Sequence, residues 1–145
     1  MERKEFLKQC GKLCLGSFIA TELLSACTTN YFAQGSVSNN LLTVSKKEFI
    51  EVRNGKSKFR KHVIVKADKL TYPIYVSRLN ENTYSALFME CSHNSCELAP
   101  HGDYLVCPCH GSEFNFLGKV QNPPAEKDLI SFKINQDDEN IFIQL

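Results

Sequence analysis

The chain lacks an excess of charge of either sign, a long apolar run, a low-complexity tract and an internal repeat. Its formal net charge is +1 over 145 residues, too little for a field that would draw the protein onto nucleic acid. Its length leaves no room for a multidomain enzyme, because single domains cluster near about 100–150 residues. With 43% hydrophobic and 23% charged residues, the composition predicts one globular domain with an appendage.

The N-terminal segment lacks the roughly 20 consecutive apolar residues that a membrane-spanning helix needs. Its least polar stretch, 13–26, contains Glu22 and follows a basic segment. That order, basic and then apolar, is typical of an export signal. We therefore expect an export signal outside the fold and no permanent transmembrane anchor.

Two short motifs make this expectation more specific. Arg3-Lys4-Glu5-Phe6-Leu7-Lys8 resembles the twin-arginine export motif, with lysine in place of the second arginine. Leu24-Ser25-Ala26-Cys27 resembles the lipobox of bacterial lipoproteins, whose cysteine is lipidated and becomes the mature N-terminus. The resemblance implies an export signal over 1–26, lipidation at Cys27, and a lipid-anchored protein that faces the periplasm. An ordinary N-terminal helix with incidental cysteines is the alternative.

The next segment, 27–40, is rich in small polar residues, and we expect a flexible tether there. After residue 40, short runs rich in β-branched and aromatic residues recur between turn formers such as Asn54-Gly55. Lys46–Val52 is the best candidate for a short helix. The pattern predicts an all-β sandwich or barrel over 41–145. The candidate strands are 41–44, 62–66, 73–79, 83–89, 104–106, 129–134 and 141–145.

Charge is unevenly distributed along this domain. Residues 46–69 contain nine Lys or Arg and three Asp or Glu, whereas residues 81–145 contain three and ten. The acidic half could steer a cationic partner toward its end of the molecule. An uneven solvated surface without a partner is the alternative.

Four of the seven cysteines crowd into nineteen residues of the acidic half, beside two histidines. The segments are Cys91-Ser92-His93-Asn94-Ser95-Cys96 and Cys107-Pro108-Cys109-His110-Gly111-Ser112. Each segment offers one cysteine and one histidine to a common metal centre, and two thiolates with two neutral imidazoles could bind a zinc ion or a mixed-ligand iron–sulfur cluster. Zinc fingers usually pair cysteine with cysteine and histidine with histidine, whereas each pair here is mixed.

The two segments resemble the Rieske iron–sulfur proteins, whose pattern is Cys-x-His followed by Cys-x-x-His. The resemblance covers about 83–145 and includes Phe114, Gly118 and Pro124-Ala125. It implies a Rieske-type antiparallel β sandwich with a small cluster-binding subdomain of two loops. It also implies a [2Fe–2S] cluster with Cys91 and Cys107 on one iron and His93 and His110 on the other.

Further residues resemble the quinol-oxidising branch of that family. Cys96 and Cys109 occupy the positions of a disulfide between the cluster loops, which persists outside the cytoplasm; two free buried thiols are the alternative. Ser112 matches a serine that donates a hydrogen bond to a cluster sulfur. Phe114 stands where this branch usually has tyrosine, so we expect a potential below that of the highest-potential members.

Several positions depart from the family or lie outside its motif. Asn94 replaces an apolar residue at the tip that docks on the membrane cytochrome, and Ser95 replaces a glycine. The Pro123-Pro124-Ala125 segment resembles the loop that covers the cluster. His62 and His101 have no cysteine partner, and we interpret them as ordinary surface or turn residues.

The expected function is electron transfer at the periplasmic side of a membrane, as a small subunit or lipoprotein carrier of a respiratory or periplasmic oxidoreductase. The alternative is the Rieske subunit of a quinol–cytochrome c reductase-type complex. Expected partners are a cytochrome or an oxidoreductase large subunit, with quinol as a further candidate. The chain is not expected to be an enzyme alone: a Rieske oxygenase needs a mononuclear iron site on a further large domain. A structural zinc or adhesion lipoprotein is the third class.

Overall fold

A computed structural model of the protein describes residues 30–145. The expected export signal and Cys27 lie outside these residues. The regular secondary structure of the described chain consists of β-strands and one 3-10 helix at Lys46–Phe49, which confirms the predicted all-β fold class. The strands are β1 (Phe32–Gln34), β2 (Ser36–Ser38), β3 (Leu41–Ser45), β4 (Ile50–Arg53), β5 (Lys56–Phe59), β6 (His62–Lys66), β7 (Ile74–Arg78), β8 (Tyr84–Phe88), β9 (Ala99–His101), β10 (Tyr104–Val106), β11 (Glu113–Asn115), β12 (Val120–Asn122), β13 (Lys133–Gln136) and β14 (Asn140–Gln144).

A central sheet of order β1-β6-β7-β8 lies between two other sheets. β1 pairs with β6 in parallel, and the remaining pairs are antiparallel. Successive residues of β6, such as Val63 and Ile64, are both buried because their side chains point into different cores. Burial of both faces explains why β6 and β7 are continuous apolar runs rather than alternating ones.

The first core lies between the central sheet and an outer antiparallel sheet of order β13-β14-β3-β2. Alternate residues of β3 and β14 point into this core. The 3-10 helix closes it with Phe49, which is fully buried. The buried members of the first core are Ala33, Leu42, Val44, Phe49, Val63, Val65, Ile74, Val76, Ala86, Ile141 and Ile143.

The second core lies between the other face of the central sheet and the antiparallel sheet β12-β11-β10-β9. This smaller sheet supports the two loops with the Cys and His motifs. The buried members of the second core are Ile64, Tyr75, Leu87, Met89, Cys91, Leu98, Leu105, Cys107, Phe114, Ala125 and Leu129. Two of the four expected cluster ligands are thus part of a hydrophobic core.

The central sheet has two distinct ends. β1 and β6 begin at one end, which we call the entry end, where β7 also finishes and β8 begins. At the opposite end, the loop end, β8 finishes and the chain enters the first Cys and His motif.

A hairpin of β4 and β5 leaves the 3-10 helix and turns at Asn54 and Gly55, both with positive φ (53° and 73°). Such a two-residue loop matches the twist of paired strands.

The structure corrects the predicted tether over 27–40. Phe32–Gln34 pairs with β6 and Ser36–Ser38 pairs with β3, so the folded domain begins before residue 41. Between the two strands, a Cβ on Gly35 would lie 2.4 Å from the Leu42 Cδ1. Gly35, one of the small residues that indicated a flexible tether, instead permits this close approach to Leu42.

The predicted helix over Lys46–Val52 is also wrong in its extent. The 3-10 helix ends at Phe49, and the chain continues as β4. Within residues 30–145, no helix is both long enough and apolar enough to cross a membrane.

Candidate metal centre

Two loops at the loop end carry the Cys and His motifs. The first ligand loop, 91–98, connects β8 to β9, and the second ligand loop, 107–112, connects β10 to β11. The small antiparallel sheet brings them together because β9, β10 and β11 are neighbours in it.

The two ligand loops have the same backbone hydrogen bonds. The Cys91 N–H donates to the Cys96 carbonyl at 2.8 Å, and the Ser95 N–H donates to the Cys91 carbonyl at 2.9 Å. In the second loop, the Cys107 N–H donates to the Ser112 carbonyl and the Gly111 N–H to the Cys107 carbonyl, at 2.8 and 2.9 Å. The two cysteines that begin the loops are thus held alike.

Cys91 and Cys107 lie side by side inside the second core. Each is 1% exposed, and neither belongs to a disulfide. Burial, and then the neighbouring Cys91 thiol, raise the pKa of Cys107 above its ordinary value, although the backbone N–H groups of Cys109 and His110 act in the opposite direction. N–H groups directed at a sulfur stabilise its thiolate form, which is the form that binds metal.

His93 and His110 lie at the surface of the loops, next to one another. Both are exposed, and their ring centroids are 5.2 Å apart with the planes at 84°. The sequence alternates cysteine and histidine, but the fold pairs thiol with thiol inside and imidazole with imidazole outside. This arrangement fits a two-metal cluster with one sulfur-bound and one nitrogen-bound iron.

A disulfide between Cys96 and Cys109 joins the two loops, with a Cα–Cα distance of 6.5 Å. It confirms the pairing that the family resemblance implied. Within the described chain, the one group of three possible ligand atoms within 4.8 Å of each other is formed by Cys96, Cys107 and Cys109. Because two of these sulfurs are bonded to each other, the group is not a zinc site.

Ser112 connects the second ligand loop to the proline segment that follows β12. Its hydroxyl oxygen is fully buried and accepts a hydrogen bond from the Ala125 N–H at 3.0 Å. The oxygen is therefore fixed, while the hydroxyl proton stays available to another acceptor. The Ser92 hydroxyl donates to the Lys127 carbonyl at 2.5 Å, so this segment is fastened to both loops.

Other residues singled out in the sequence have varied positions. Phe114 is fully buried in the second core, and Asn94 is exposed at the tip of the first loop. His101 is exposed near Tyr104. His62 corrects our surface interpretation: it is half-buried, and its ring stacks on Tyr75 at 4.7 Å.

Tyr72 is a contact that the sequence analysis missed. It lies just before β7, outside the segment 83–145 in which the sequence analysis found the resemblance, and its hydroxyl donates to the Ser95 carbonyl. The bond attaches the first ligand loop to the central sheet. No motif marks this residue, because the contact depends on how the two sheets stack.

Comparison with known proteins decides the family. Residues 46–133 match the Rieske [2Fe-2S] domain family. The chain belongs to that family. The Rieske domain carries a [2Fe–2S] cluster, and the donor set at the loop end has the sulfur and nitrogen ligands that such a cluster needs.

The alignment with each individual relative covers only part of the two chains. The chain is 36% identical over 55 residues to the cytochrome b6-f complex iron-sulfur subunit of Prochlorococcus marinus (strain MIT 9303), covering 37% of this chain and 31% of that protein. It is 35% identical over 77 residues to the subunit of that name from Trichodesmium erythraeum (strain IMS101), covering 50% and 43%. The match thus spans less than half of either relative.

Among solved structures, the chain is similar to the cyanobacterial plasma membrane Rieske protein PetC3 from Synechocystis PCC 6803. The TM-score is 0.51 and the sequence identity 31%, over 59% of this chain and 87% of that one. The Rieske fold of the described residues is therefore supported by both sequence and structure.

Proposed function

We propose that this Rieske protein is a one-electron carrier, tethered to a membrane on its periplasmic side, and that it serves as a small subunit or lipoprotein carrier of an oxidoreductase. The observation that carries the proposal is the paired donor set: two buried thiols, two exposed imidazoles, and a disulfide joining their loops. When bound there, the cluster accepts and releases single electrons.

Each ligand has a distinct task in this proposal. Cys91 and Cys107 would hold one iron, within the second core beside Met89 and Phe114. His93 and His110, which are exposed, would hold the other iron. Imidazole ligands, unlike thiolates, add no negative charge to a cluster, so we expect a potential in the range of about −150 to +300 mV that Rieske centres span.

The surface around the two histidines is the proposed contact for a redox partner. The exposed ring edges give the shortest route for an electron into another protein. Asn94 makes the tip polar, which favours an aqueous partner such as a cytochrome or an oxidoreductase large subunit over an apolar membrane pocket.

Export and anchoring rest on the sequence before residue 30, namely the signal over 1–26 and the lipidation site at Cys27. The Cys96–Cys109 disulfide supports export, since structural disulfides belong to oxidising compartments.

A second candidate is the Rieske subunit of a quinol–cytochrome c reductase-type complex. The relatives named as cytochrome b6-f subunits favour it, as do the disulfide and the buried Ser112. Phe114 and Asn94 favour the carrier. Phe114 has no hydroxyl to donate to a cluster sulfur, and such donors raise the potential.

The midpoint potential of the full chain, measured by voltammetry from pH 6 to pH 10, separates the two candidates. We expect a potential in the lower half of the Rieske range, near or below zero, with little pH dependence around neutrality. A potential in the upper half that falls with pH would instead assign the protein to quinol oxidation.

A further inference from the structure

The hairpin of β4 and β5 presents an exposed apolar face at the entry end. Its register pairs Ile50 with Phe59 and Val52 with Ser57, so these four side chains share one face. The three apolar residues Ile50, Val52 and Phe59 are 40%, 72% and 54% exposed. A two-stranded hairpin is marginal in water without a hydrophobic contact.

The opposite face of the hairpin is basic. Arg53 and Lys56 are direct cross-strand partners beside the turn, and both are exposed. Like charges in this position disfavour a hairpin unless an anion compensates them. Over 50–61, five residues are Lys or Arg and one, Glu51, is acidic.

The described chain starts at the root of this hairpin. The Arg60 guanidinium lies 3.9 Å from the Tyr31 ring centroid and donates to the Ile50 carbonyl at 2.7 Å. The Tyr31 hydroxyl donates to a Glu48 carboxylate oxygen at 2.8 Å. Whatever precedes Tyr31 therefore leaves the domain beside the hairpin.

This root is at the end of the central sheet opposite to the ligand loops. β8 runs from the entry end to the loop end over five residues, Tyr84–Phe88, about 14 Å of strand. Cys27 precedes Tyr31 by four residues, which span at most about 14 Å. A fully extended segment would only just reach the level of the loop end, so a lipid on Cys27 would favour an orientation with the hairpin nearer to the membrane than the ligand loops.

We propose that the β4–β5 hairpin, through Arg53 and Lys56 beside its turn, binds the anionic headgroups of a lipid membrane. The hairpin enters the interface by its turn, so that Arg53 and Lys56 on one face contact phosphate groups while the apolar side chains on the other face lie at the boundary between headgroups and acyl chains. The domain then stands with its entry end on the membrane and its histidines facing the aqueous phase. The orientation rests on the proposed lipid at Cys27; the headgroup binding does not.

The test uses the full chain with Cys27→Ala, which removes the lipidation site, and sedimentation with vesicles. The vesicles contain phosphatidylcholine with or without phosphatidylglycerol. We expect binding to the anionic vesicles that weakens as salt rises. The double variant Arg53→Gln/Lys56→Gln should reduce this binding by about 30-fold, since each basic residue contributes about five-fold at an anionic surface. Val52→Asn should also reduce it.

A charge-matched control separates a local site from net charge. Lys127→Gln/Lys133→Gln removes two exposed lysines from the acidic half, and it should leave vesicle binding within about two-fold of the parent. All variants share the segment before residue 30, so differences between them report on the hairpin. Cluster absorbance confirms that each variant folds.

Any of three results would overturn the proposal. The first is equal vesicle binding by the hairpin variant and its parent, and the second is an equal loss in the hairpin and control variants. The third is a hairpin variant that keeps vesicle binding but loses binding to an acidic redox protein, which would assign the surface to a protein partner. Failure of the proposed anchor is distinguishable, because mass spectrometry of the exported chain reports lipidation of Cys27 separately.

Discussion

Cysteine and histidine side chains occupy different depths in the ligand loops. Cys91 and Cys107 are closed off by the second core, whereas His93 and His110 meet solvent. A buried thiolate pair is shielded from competing protons and oxidants, and an exposed imidazole pair can exchange electrons with a partner. The segregation makes this donor set suitable for electron transfer rather than for storage of a structural metal.

Replacing His110 with cysteine tests the nitrogen-bound iron. A third thiolate adds negative charge to the cluster, so the added electron meets more repulsion. The midpoint potential should fall by a few hundred millivolts, toward the roughly −400 mV of all-cysteine plant-type clusters. Voltammetry gives the potential, and iron and sulfide analysis confirms that the cluster is retained.

The matched control for this variant is His101→Cys, which adds a cysteine at an exposed position outside the ligand loops. Its potential should equal that of the parent. An unchanged potential in His110→Cys, with the cluster retained, would contradict the ligand assignment.

Ser112→Ala tests the buried hydroxyl. Loss of a hydrogen bond to a cluster sulfur disfavours the more negative reduced state, and 0.5–1.5 kcal/mol corresponds to about 20–65 mV for one electron. The potential should therefore fall by about that amount in voltammetry. The Ala125 N–H also loses its acceptor, which should lower the free energy of unfolding by about 1–3 kcal/mol. A stability loss with no change in potential would limit Ser112 to a structural role.

At the residue scale, spacing and family resemblance indicated the metal-binding chemistry but not the hydrogen bonds that hold the ligand loops in place. The Cys96–Cys109 bridge could be predicted because both residues fall within the motif. The Tyr72 hydroxyl and the Ala125 N–H could not, since their contacts come from segments that only the fold brings to the loops. His62 was wrongly interpreted as a surface or turn residue, because it is the first residue of strand β6.

Strand prediction succeeded where both faces of a strand, or alternate residues, are apolar. The predicted 62–66 and 104–106 coincide with β6 and β10. Strands such as β9, β11 and β12 have three residues each, too few for a periodic pattern. Their pairing depends on neighbours in the small sheet rather than on their own composition.

The predicted strand over 129–134 is only partly correct. β13 begins at Lys133, and the residues before it run along the edge of β8 instead. The Phe88 N–H donates to the Ile130 carbonyl, and the Phe132 N–H donates to the Ala86 carbonyl. The apolar run has to cross from one core to the other, which interrupts a regular ladder.

The equivalent positions Ser95 and Gly111 offer a test of the ligand-loop geometry. Both have positive φ, 45° and 79°, a region in which a side chain is unfavourable but glycine is not. Ser95→Gly should raise the free energy of unfolding by about 0.5–1 kcal/mol, after the greater entropy of unfolded glycine is counted. Urea unfolding at neutral pH measures the change.

Gly111→Ser is the reciprocal variant and should destabilise the protein by a similar amount. A Cβ there meets no atom within 4 Å, so backbone conformation alone sets the effect. Two variants that shift stability in the same direction would contradict the equivalence of the loops.

The whole molecule should lose stability in mild acid through His62. Burial, and then the charge of Lys61, lower the pKa of His62 below its ordinary value of 6.5. The unfolded chain therefore takes up the proton first, and stability falls as pH decreases through 6.5 toward the lowered pKa. In His62→Gln, urea unfolding between pH 7.5 and pH 5.5 should show a smaller loss than in the parent. Equal pH dependence in the two proteins would contradict this assignment.

At the scale of the molecule, the uneven charge of the sequence is separated only in part. The basic residues over 46–69 include the hairpin at the entry end, and the acidic half includes both ligand loops at the other end. Glu81, Asp138 and Glu139 of the acidic half nevertheless line a pocket beside the hairpin. The sequence shows the two halves, but only the parallel pairing of β1 with β6 shows that the chain enters opposite the loops. A pattern along the chain does not determine that direction.

Metal and sulfide content of the purified full chain tests the central claim most directly. A Rieske cluster on Cys91, His93, Cys107 and His110 predicts two iron atoms and two acid-labile sulfides per chain, no zinc, and a coloured protein. A colourless protein that contains zinc and no sulfide would contradict the account.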